Sequence, residues 1–379
     1  MGKPIHIVFT TIYHPTVLND LYQNLSRYNH LHEVKVWVVG DKKTPASCGQ
    51  LTQEISDQGL ETIYLDIEQQ DRWGTNCRAF YQRLPYNNET RRNIGYLHAW
   101  EDDCEILISI DDDNFPTDDD LVGFHQKTGS EWHGDLLFEQ SGFHNICEYL
   151  EIEPNRQIFP RGFPFRLRGK SNQNQQKQPE RSVTIGVTAG LWLSDPDVDA
   201  TTWLNGRVTG SRYLGKDIQV LDQSTWTPIN TQNTSVVKEL IPAYLCIPMG
   251  WDVPGGKIQR YGDIWGGYFL QAVMKETKYR VAFGRPIVDH RRNPHDYVDD
   301  LRFEYWGMIL TDWLVDKLRS EFQPESAGIA DRVDELAEFI GAEALPGLPN
   351  WCPAEINDFL LWTKVNLKTW AAACRTLEK

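Results

Sequence analysis

The segment 106–114 reads ILISIDDDN and constrains the fold more than any other part of the chain. A short run that is almost wholly apolar predicts a strand buried on both faces of a parallel sheet. The run ends in three consecutive carboxylates, Asp111, Asp112 and Asp113. Carboxylates repel one another and are costly to desolvate, so they need a cation or strong hydrogen-bond donors among them. Ligand sites in open α/β sheets lie at the carboxyl ends of strands, which is where this triplet falls.

Oxygen ligands of this kind suit Mg²⁺ or Mn²⁺, and such ions commonly share their coordination shell with substrate phosphates. The aspartate triplet therefore predicts a metal–diphosphate site. An acidic loop whose aspartates cap a helix would explain the same residues, and the run by itself does not separate these two interpretations.

Short apolar runs alternate with longer helical patterns through the first third of the chain. This rhythm is typical of βαβ units and predicts an α/β fold, Rossmann-like, with a mostly parallel sheet flanked by helices. The predicted strands are 5–10, 33–40, 62–66 and the run that ends at Asp111, and the predicted helices are 17–28, 51–58 and 90–100. Farther along, strands are predicted at 183–192 and 243–249 and a helix at 262–276.

The chain becomes helical after Asp296, where apolar side chains recur at three- and four-residue spacing and predict a buried helix face. These side chains are Trp306, Ile309, Leu310, Trp313, Leu314 and Leu318. A chain of 379 residues can bury a large core. We expect one large catalytic domain over residues 1–310 and a C-terminal helical region over 311–379.

The composition excludes several classes of partner. A formal net charge of −15 with no compensating basic tract argues against binding to nucleic acid or to anionic membranes. No segment has the apolar length of a membrane span, and the N-terminus has no signal-peptide pattern. The seven cysteines are scattered without a Cys-x-x-Cys pair, which fits reduced thiols better than a disulfide framework. These features predict a soluble, cytoplasmic protein.

Two segments near the triplet are predicted to shape the fold rather than to bind metal. Asp118, Asp119 and Asp120 precede an apolar stretch and are typical of the acidic first turn of a helix, although a second metal site is the alternative. Residues 170–181, KSNQNQQKQPER, contain no apolar side chain and predict a mobile loop.

Positive charge is concentrated in the segment 161–170, RGFPFRLRGK. Arginine matches phosphate oxygens bidentately, and alternation along an extended chain would place Arg166 and Arg168 on one side. The segment can therefore clamp a diphosphate, with the loop after it as a lid; surface arginines on a solvated loop are the alternative. Arg91 and Arg92 begin a predicted helix, where they oppose the helix dipole and indicate a nearby anion or acidic partner.

Two further segments contain candidate site residues. His290 follows an apolar segment, and a neutral imidazole there can complete a carboxylate metal shell; His295 is a weaker candidate. In the segment 260–268, RYGDIWGGY, Asp263 can orient a sugar hydroxyl or act as a base, and Trp265 can stack on a sugar face. The alternatives are an ordinary loop histidine, a helix N-cap at Asp263 and a core position for Trp265.

Five segments, taken together and in order, resemble the reversibly glycosylated polypeptides, a family that includes the UDP-arabinopyranose mutases and has a GT-A-type glycosyltransferase fold. They are SIDDDN at 109–114, FPRGFPFRLRG at 159–169, GVTAGLWLSDPDVDA at 186–200, RYGDIWGGY at 260–268 and the segment around His290. The resemblance covers about the first 310 residues.

The resemblance implies that the aspartate triplet is a DXD-type site for a metal and a UDP-sugar. Asp113 is then the main metal ligand, Asp111 contacts the metal or the ribose, and Asp112 supports them. It also implies that His290 completes the metal shell. Arg161 aligns with the arginine implicated in reversible glycosylation of the family, which implies a role in sugar binding or at the leaving group.

Two departures from the family border the expected sugar region. Gly262 stands where the family usually carries a second acid beside the equivalent of Asp263, and the residues after Lys170 have the character of an insertion. Both departures bear on the identity of the sugar and on the mutase activity more than on the metal site.

The resemblance and the candidate residues predict a Mn²⁺- or Mg²⁺-dependent UDP-sugar enzyme, mutase-like, which interconverts pyranose and furanose forms and can glycosylate itself. Two alternatives stay open: a glycosyltransferase with a separate acceptor, and a non-catalytic nucleotide-sugar-binding subunit of a hetero-complex. Homo- and hetero-oligomers are both compatible with the sequence. The predicted catalytic residues are Arg161 and Asp263, the predicted metal ligands are Asp111, Asp113 and His290, and the residues predicted to bind the nucleotide sugar are Asp111, Asp112, Arg91, Arg92, Arg166, Arg168 and Trp265.

Overall fold

Strands and helices alternate through the first 110 residues of the computed structural model, which describes residues 4–170, 172, 175–178, 182–341, 348 and 350–378. The elements are β1 (Ile5–Thr10), α1 (Val17–Arg27), β2 (Val34–Val39), α2 (Ser47–Asp57), β3 (Thr62–Leu65), α3 (Ile67–Trp73), α4 (Arg78–Tyr81), α5 (Arg92–Glu101) and β4 (Ile106–Ile110). All strands and helices predicted for this part are present, with their ends shifted by a few residues. The short helices α3 and α4 have no counterpart in the prediction.

The remainder of the chain adds shorter strands and three long helices near the C-terminus. The elements are β5 (Asn114–Pro116), α6 (Leu121–His125), β6 (Glu131–Trp132), β7 (Leu136–Glu139), β8 (Leu150–Glu153), β9 (Gln175–Gln178), β10 (Val183–Ser194), α7 (Ala200–Leu204), β11 (Thr209–Tyr213), β12 (Ile218–Leu221), β13 (Asn233–Val237), β14 (Trp251–Val253), β15 (Gly256–Ile258), α8 (Gly262–Val273), β16 (Tyr279–His290), α9 (Tyr297–Ser320), α10 (Ile329–Ile340) and α11 (Glu355–Leu377).

The main sheet runs in the order β3-β2-β1-β4-β13-β10-β16-β12-β7-β9. Its first four strands are all parallel, and five of the nine pairings along this path are parallel. Strand β13 runs antiparallel between β4 and β10. Helices pack on the sheet, with α5 against β1 and β2 and α6 against β16. The predicted fold class, α/β with a mostly parallel central sheet flanked by helices, is confirmed.

Strand β4 lies inside this sheet, between β1 and β13. Leu107, Ile108 and Ile110 are fully buried, and burial of such a side chain stabilises the fold by about 1.5–3 kcal/mol. Both edges and both faces of the strand are covered, so a charged side chain within it would lose its contact with water. The first position at which the chain leaves the sheet and can carry a charge is Asp111. The triplet therefore stands at the carboxyl edge of the sheet, as predicted.

The strand predicted at 243–249 is absent, and this prediction is wrong. The backbone of this segment bonds to helices instead of to a strand. Asn93 on α5 accepts from the Cys246 N–H at 3.0 Å and donates to the Cys246 carbonyl at 2.7 Å. The Ile247 N–H donates to the carbonyl of Gly262 on α8 at 3.0 Å. The apolar run is buried between two helices, which periodicity cannot distinguish from burial in a sheet.

The polar segment predicted as a mobile loop at 170–181 contains strand β9, which pairs antiparallel with β7. A polar sequence is tolerated in β9 because this strand is at the edge of the sheet. Residues 171, 173, 174 and 179–181 lie outside the described residues, so the predicted lid stays a prediction.

The second acidic triplet caps a helix, as predicted for its last member. Asp120 is the N-cap of α6, and its carboxylate accepts from the Gly123 N–H at 2.8 Å. Asp118 and Asp119 precede the helix and pair with Arg27 and Arg285.

The C-terminal helices pack onto the sheet domain through two tryptophan hydrogen bonds. Trp370 on α11 donates to the carbonyl of Pro242 at 2.7 Å, and Trp100 on α5 donates to that of Cys374 on α11 at 2.9 Å. In the apolar stripe of α9, Trp306, Leu310, Leu314 and Leu318 are buried in the core, as predicted, while Ile309 and Trp313 are half-buried. Helix α9 runs through residue 310 without a break, so the boundary placed there stays a prediction. Within the described part of the chain, no helix is both long and apolar enough to span a membrane.

Two buried histidines, His125 and His144, and the half-buried His98 are expected to make stability fall in mild acid. Burial lowers the pKa of His98 to about 4, of His125 to about 4 and of His144 to about 3. Unfolded histidine protonates near pH 6.5, so their contribution is complete above that pH and is lost as the pH falls toward the folded values. Lowering the pH from 7 to 5 should reduce the free energy of unfolding by about 2 kcal/mol for each of these histidines. Urea denaturation at pH 7 and at pH 5 measures this loss. His144→Phe should remove its own share of this loss; an unchanged pH dependence in the variant would contradict the prediction.

Candidate active site

A cavity of about 230 Å³ opens at the carboxyl edge of the sheet, beside the ends of β4, β10 and β16 and the first turn of α8. Its lining is strongly charged, with five carboxylates and four guanidinium groups. The lining residues are Glu89, Arg92, Asp111, Asp113, Arg161, Asp197, Thr231, Gln232, Gln259, Arg260, Asp263, His290, Arg292 and His295. The fold thus brings six of the predicted site residues together, namely Arg92, Asp111, Asp113, Arg161, Asp263 and His290.

Asp113 and His290 form a pair at one end of this cavity. Strands β5 and β16 are antiparallel and set Asn114 opposite His290, which brings the neighbouring Asp113 to the imidazole. Asp113 Oδ1 lies 3.6 Å from His290 Nε2. His290 Nδ1 donates to the carbonyl of Asp195 at 2.6 Å, so Nε2 is directed at the carboxylate. Asn293 Nδ2 donates to Asp113 Oδ2 at 3.2 Å and holds the second oxygen.

The pair is electrostatically matched. Burial alone would raise the pKa of Asp113 and lower the pKa of His290. The contact between the two groups outweighs burial, so the pKa of Asp113 is lowered and the pKa of His290 is raised. Each group therefore favours the charged form of the other, and a divalent cation would compete with the proton for the same nitrogen.

Asp113 and His290 fit a divalent cation that is shared with a substrate. Carboxylate oxygen and imidazole nitrogen are both ligands of Mn²⁺ and related ions. The Asp195 carbonyl orients the ring in the way that outer partners orient metal-bound histidines. No group of three or more His, Cys, Asp or Glu in the described ranges is arranged to hold a metal. Diphosphate oxygens and water would therefore have to supply the remaining ligands, as is common for Mg²⁺.

Arg92 holds Asp111 in place at the end of β4. Its Nη2 pairs with Asp111 Oδ1, and its Nη1 donates to Thr231 Oγ1 at 2.8 Å and to Ser109 Oγ at 3.3 Å. Burial raises the pKa of Asp111, and the charge of Arg92 offsets only part of that rise. Asp111 thus faces the cavity but is already paired with an arginine, whereas the partner of Asp113 is the imidazole of His290.

Asp112 turns to the opposite side of the strand end. Thr11 Oγ1 donates to Asp112 Oδ2 at 2.5 Å, and burial raises the pKa of this carboxyl to about 7. Asp112 lies outside the cavity lining. Its hydrogen bond with Thr11 joins the triplet to the loop after β1.

Arg161 is clamped between two carboxylates on the far side of the cavity. Its Nε and Nη2 donate to Asp197 at 2.9 and 3.1 Å, and its Nη1 and Nη2 donate to Asp263 at 3.1 and 2.8 Å. Nη1 also donates to the carbonyl of Arg260. All five N–H groups of the guanidinium are therefore used. Burial opposes its charge, but the two aspartates outweigh burial and raise the pKa of Arg161 well above its ordinary value.

Glycines explain how this clamp is assembled. Gly162 has φ +82°, and a Cβ there would lie 2.2 Å from Ile264 Cγ2, so only glycine lets Arg161 approach α8 this closely. A Cβ on Gly262 would lie 2.3 Å from the carbonyl oxygen of Ile247. The acid that the family usually carries at this position has no room here, because α8 begins against backbone. Asp263 is the acid that remains in the first turn of α8.

Comparison with known proteins identifies the family. The sequence profile of the reversibly glycosylated polypeptides matches residues 66–347, which is more than half of the chain. The chain belongs to the reversibly glycosylated polypeptide family. The curated relatives include UDP-arabinopyranose mutase 3 of Arabidopsis thaliana, 24% identical over 78% of this chain and 74% of the relative. UDP-arabinopyranose mutase 1 of the same plant is 27% identical over 76% of each chain. These relatives confirm the prediction of an enzyme.

Solved structures give a weaker likeness. Glucosyl-3-phosphoglycerate synthase from Mycobacterium tuberculosis, in complex with Mn²⁺ and UDP-glucose, matches 82% of this chain and 79% of its own with a TM-score of 0.38 and 10% identity. That overlap is too low to support an inference about the site.

Two arginines predicted to bind the nucleotide sugar lie outside the cavity in this family member. The expected extended chain at 165–167 is a 3-10 turn, so alternation does not hold and that expectation is wrong. Arg166 points outward and pairs with Asp316 on α9. Arg168 pairs with Asp199 and lies 3.7 Å from the centre of the Phe165 ring. Neither lines the cavity, and no contact places them at a diphosphate.

Arg91 and Trp265 are also directed into the interior. Arg91 is 1% exposed, and its Nε donates to Gln70 Oε1 at 2.9 Å. Its acidic partner, as predicted, is the buried Asp41, whose Oδ2 lies 4.0 Å from Arg91 Nε. Trp265 is fully buried, and its Nε1 donates to Thr311 on α9 at 3.0 Å. No face of the indole is open to a sugar, and the core alternative describes this residue.

Several lining residues were missed by sequence reasoning. Asp197 had a signal, because acids alternate at 195, 197 and 199 after the buried strand β10. Arg260 and Arg292 had no such signal in the sequence, because the acids with which they pair, Glu304 and Asp300, are on α9. Glu89 also had no signal in the sequence, because only the tertiary structure places it in the same cavity lining as Asp111 and Asp113. His295, the weaker of the two histidine candidates, lines the cavity.

Proposed function

We propose that this chain is a UDP-sugar mutase that binds its substrate with Mn²⁺ or Mg²⁺ and interconverts the pyranose and furanose forms of a UDP-linked pentose. One observation carries the proposal: a single cavity joins the Asp113–His290 pair to the Asp263–Arg161 clamp. The first pair suits a cation bound to a diphosphate, and the clamp suits the sugar. Membership of the family and its mutase relatives support the same reaction.

The two ends of the cavity would bind different parts of the substrate, the diphosphate at one end and the sugar at the other. Asp113 and His290 would hold the divalent cation, which when bound neutralises the diphosphate and makes it a better leaving group. Asp111, oriented by Arg92, would receive the ribose or share the cation. Asp263 would hold a sugar hydroxyl, because its carboxylate faces the cavity from a rigid helix end.

Arg161 is better suited to positioning than to covalent attachment. A protonated guanidinium has no lone pair to offer, and all five of its N–H groups are donated within the protein. Attack on a sugar would require loss of a proton from a group whose pKa is raised well above its ordinary value. We therefore propose that Arg161 fixes Asp263 and Asp197, and that sugar does not attach to this side chain.

Incubation with a UDP-sugar in the absence of any acceptor tests the function. UDP-arabinopyranose with Mn²⁺ should give the furanose form, and each form supplied alone should lead to the same mixture, followed by chromatography and NMR. Removal of the metal with EDTA is the control and should stop the conversion. Slow release of UDP and free sugar, accelerated by an added acceptor, would instead show a glycosyltransferase. UDP binding without any turnover would show the non-catalytic subunit.

We also propose a cytoplasmic location. All seven cysteines are free thiols, and six of them are buried, as expected in a reducing compartment.

Gel filtration with light scattering would decide between a monomer and the predicted homo- or hetero-oligomer.

A further inference from the structure

Glu89 is a carboxylate of the cavity that no candidate role has used. It begins a 3-10 turn, Glu89–Arg91, that leads into α5, and the side chain of Asn88 caps this turn by accepting from the Thr90 N–H at 3.0 Å. Arg92 Nε donates to the Glu89 carbonyl at 3.2 Å, while the same guanidinium pairs with Asp111. The backbone of Glu89 is therefore held in a fixed relation to the triplet.

Glu89 differs from the other carboxylates of the cavity in its pairing. Asp111 pairs with Arg92, Asp113 pairs with His290, and Asp197 and Asp263 both pair with Arg161. No other described side chain forms a hydrogen bond or an ion pair with the carboxylate of Glu89. Its carboxylate bonds to its own backbone N–H, lines the cavity and is available to a ligand without the loss of an ion pair to another described residue.

The surroundings of Glu89 raise its pKa and make its carboxylate a stronger proton acceptor than that of an ordinary glutamate. Burial raises the pKa of Glu89 above the ordinary value, and Asp263 on α8 raises it further. Arg92 on α5 and Arg260, which precedes α8, act in the opposite direction but do not cancel the rise. A carboxyl whose pKa is raised above the ordinary value takes up a proton more readily than a free glutamate and is suited to pass it on.

We propose that Glu89 is the proton-transfer group of the ring interconversion, an inference that rests on the proposed mutase function. First, the bond between C1 and the diphosphate oxygen breaks with its electron pair leaving on UDP, a sugar hydroxyl oxygen bonds to C1, and its proton passes to Glu89. Second, the bond between C1 and the original ring oxygen breaks, that oxygen takes the proton from Glu89, and UDP bonds again to C1. One proton leaves and one returns, and no oxidant or reductant is needed.

Glu89→Gln tests this role because the amide keeps the shape and removes the titratable proton. We expect kcat for ring interconversion to fall at least 100-fold, while KM and the affinity for UDP with Mn²⁺ stay within threefold. Glu89→Asp should recover part of the rate. Formate added to Glu89→Ala should restore turnover, because a free carboxylate can enter the vacated space. The matched control is Glu68→Gln, an exposed first-turn acid of α3, which should behave like the wild type.

The outcomes separate the two proposals. If the wild type interconverts the ring forms and Glu89→Gln keeps more than one third of the wild-type rate, the proposed role of Glu89 is wrong. The mutase function would still stand in that case. Equal losses in kcat and in UDP affinity, with no rescue by formate, would show a structural role and would also overturn the proposed role of Glu89. Wild type that produces no isomerised UDP-sugar would overturn the mutase function itself, before any variant is measured.

Discussion

Replacement of Asp113 with asparagine is expected to lower turnover about 1000-fold, which corresponds to about 4 kcal/mol of lost transition-state stabilisation. Of the two triplet carboxylates that line the cavity, Asp113 is the one that pairs with no arginine among the described residues, and its Oδ1 lies 3.6 Å from His290 Nε2. The amide removes the negative charge that a cation needs and keeps the hydrogen bond from Asn293. Titration calorimetry with UDP should show that Mn²⁺ no longer strengthens binding.

The control for this variant is Asp118→Asn. Asp118 belongs to the neighbouring acidic triplet, but it is exposed, pairs with Arg27 and does not line the cavity. The metal response of this variant should match the wild type. If Asp113→Asn kept Mn²⁺-dependent UDP affinity within threefold of the wild type, the metal site would have to lie elsewhere.

Replacement of Gly266 with alanine is expected to lower the free energy of unfolding by at least 2 kcal/mol. A Cβ at this position would lie 2.2 Å from the backbone carbonyl oxygen of Leu245, so α8 or the 243–249 segment would have to move. Alanine improves helix propensity by about 1 kcal/mol, which offsets only part of the cost. Because Asp263 is on the same helix, kcat should fall together with stability.

Gly169→Ala is the matched control for this substitution. A Cβ there would meet nothing within 4 Å, so its unfolding free energy should stay within about 0.5 kcal/mol of the wild type. Denaturation in urea, followed by tryptophan fluorescence, compares the variants. A Gly266→Ala protein as stable as the wild type would show that the helix can move away from Leu245 without cost.

Local patterns predicted the fold where each element depends on its own sequence. The strands β1 to β4 and helices α1, α2 and α5 followed from apolar periodicity, because each buries one continuous run. The segment 243–249 did not, because its apolar run is covered by α5 and α8 rather than by strands. The conformation of residues 165–167 could not be predicted from the sequence pattern either. They form a 3-10 turn, which breaks the alternation on which the prediction for Arg166 and Arg168 depended.

The sequence alone determined the aspartate triplet at a strand end, the candidate partner His290 and the family resemblance, because each is carried by residues that are contiguous or by a recognisable order of motifs. Only the tertiary structure decided which charges meet. Asp197 reaches Arg161 across 36 residues, and Asp263 reaches it across 102. Such contacts depend on how helices and loops pack at the sheet edge, and no local pattern encodes that packing. The same packing brought Glu89 to the cavity and kept Trp265 out of it.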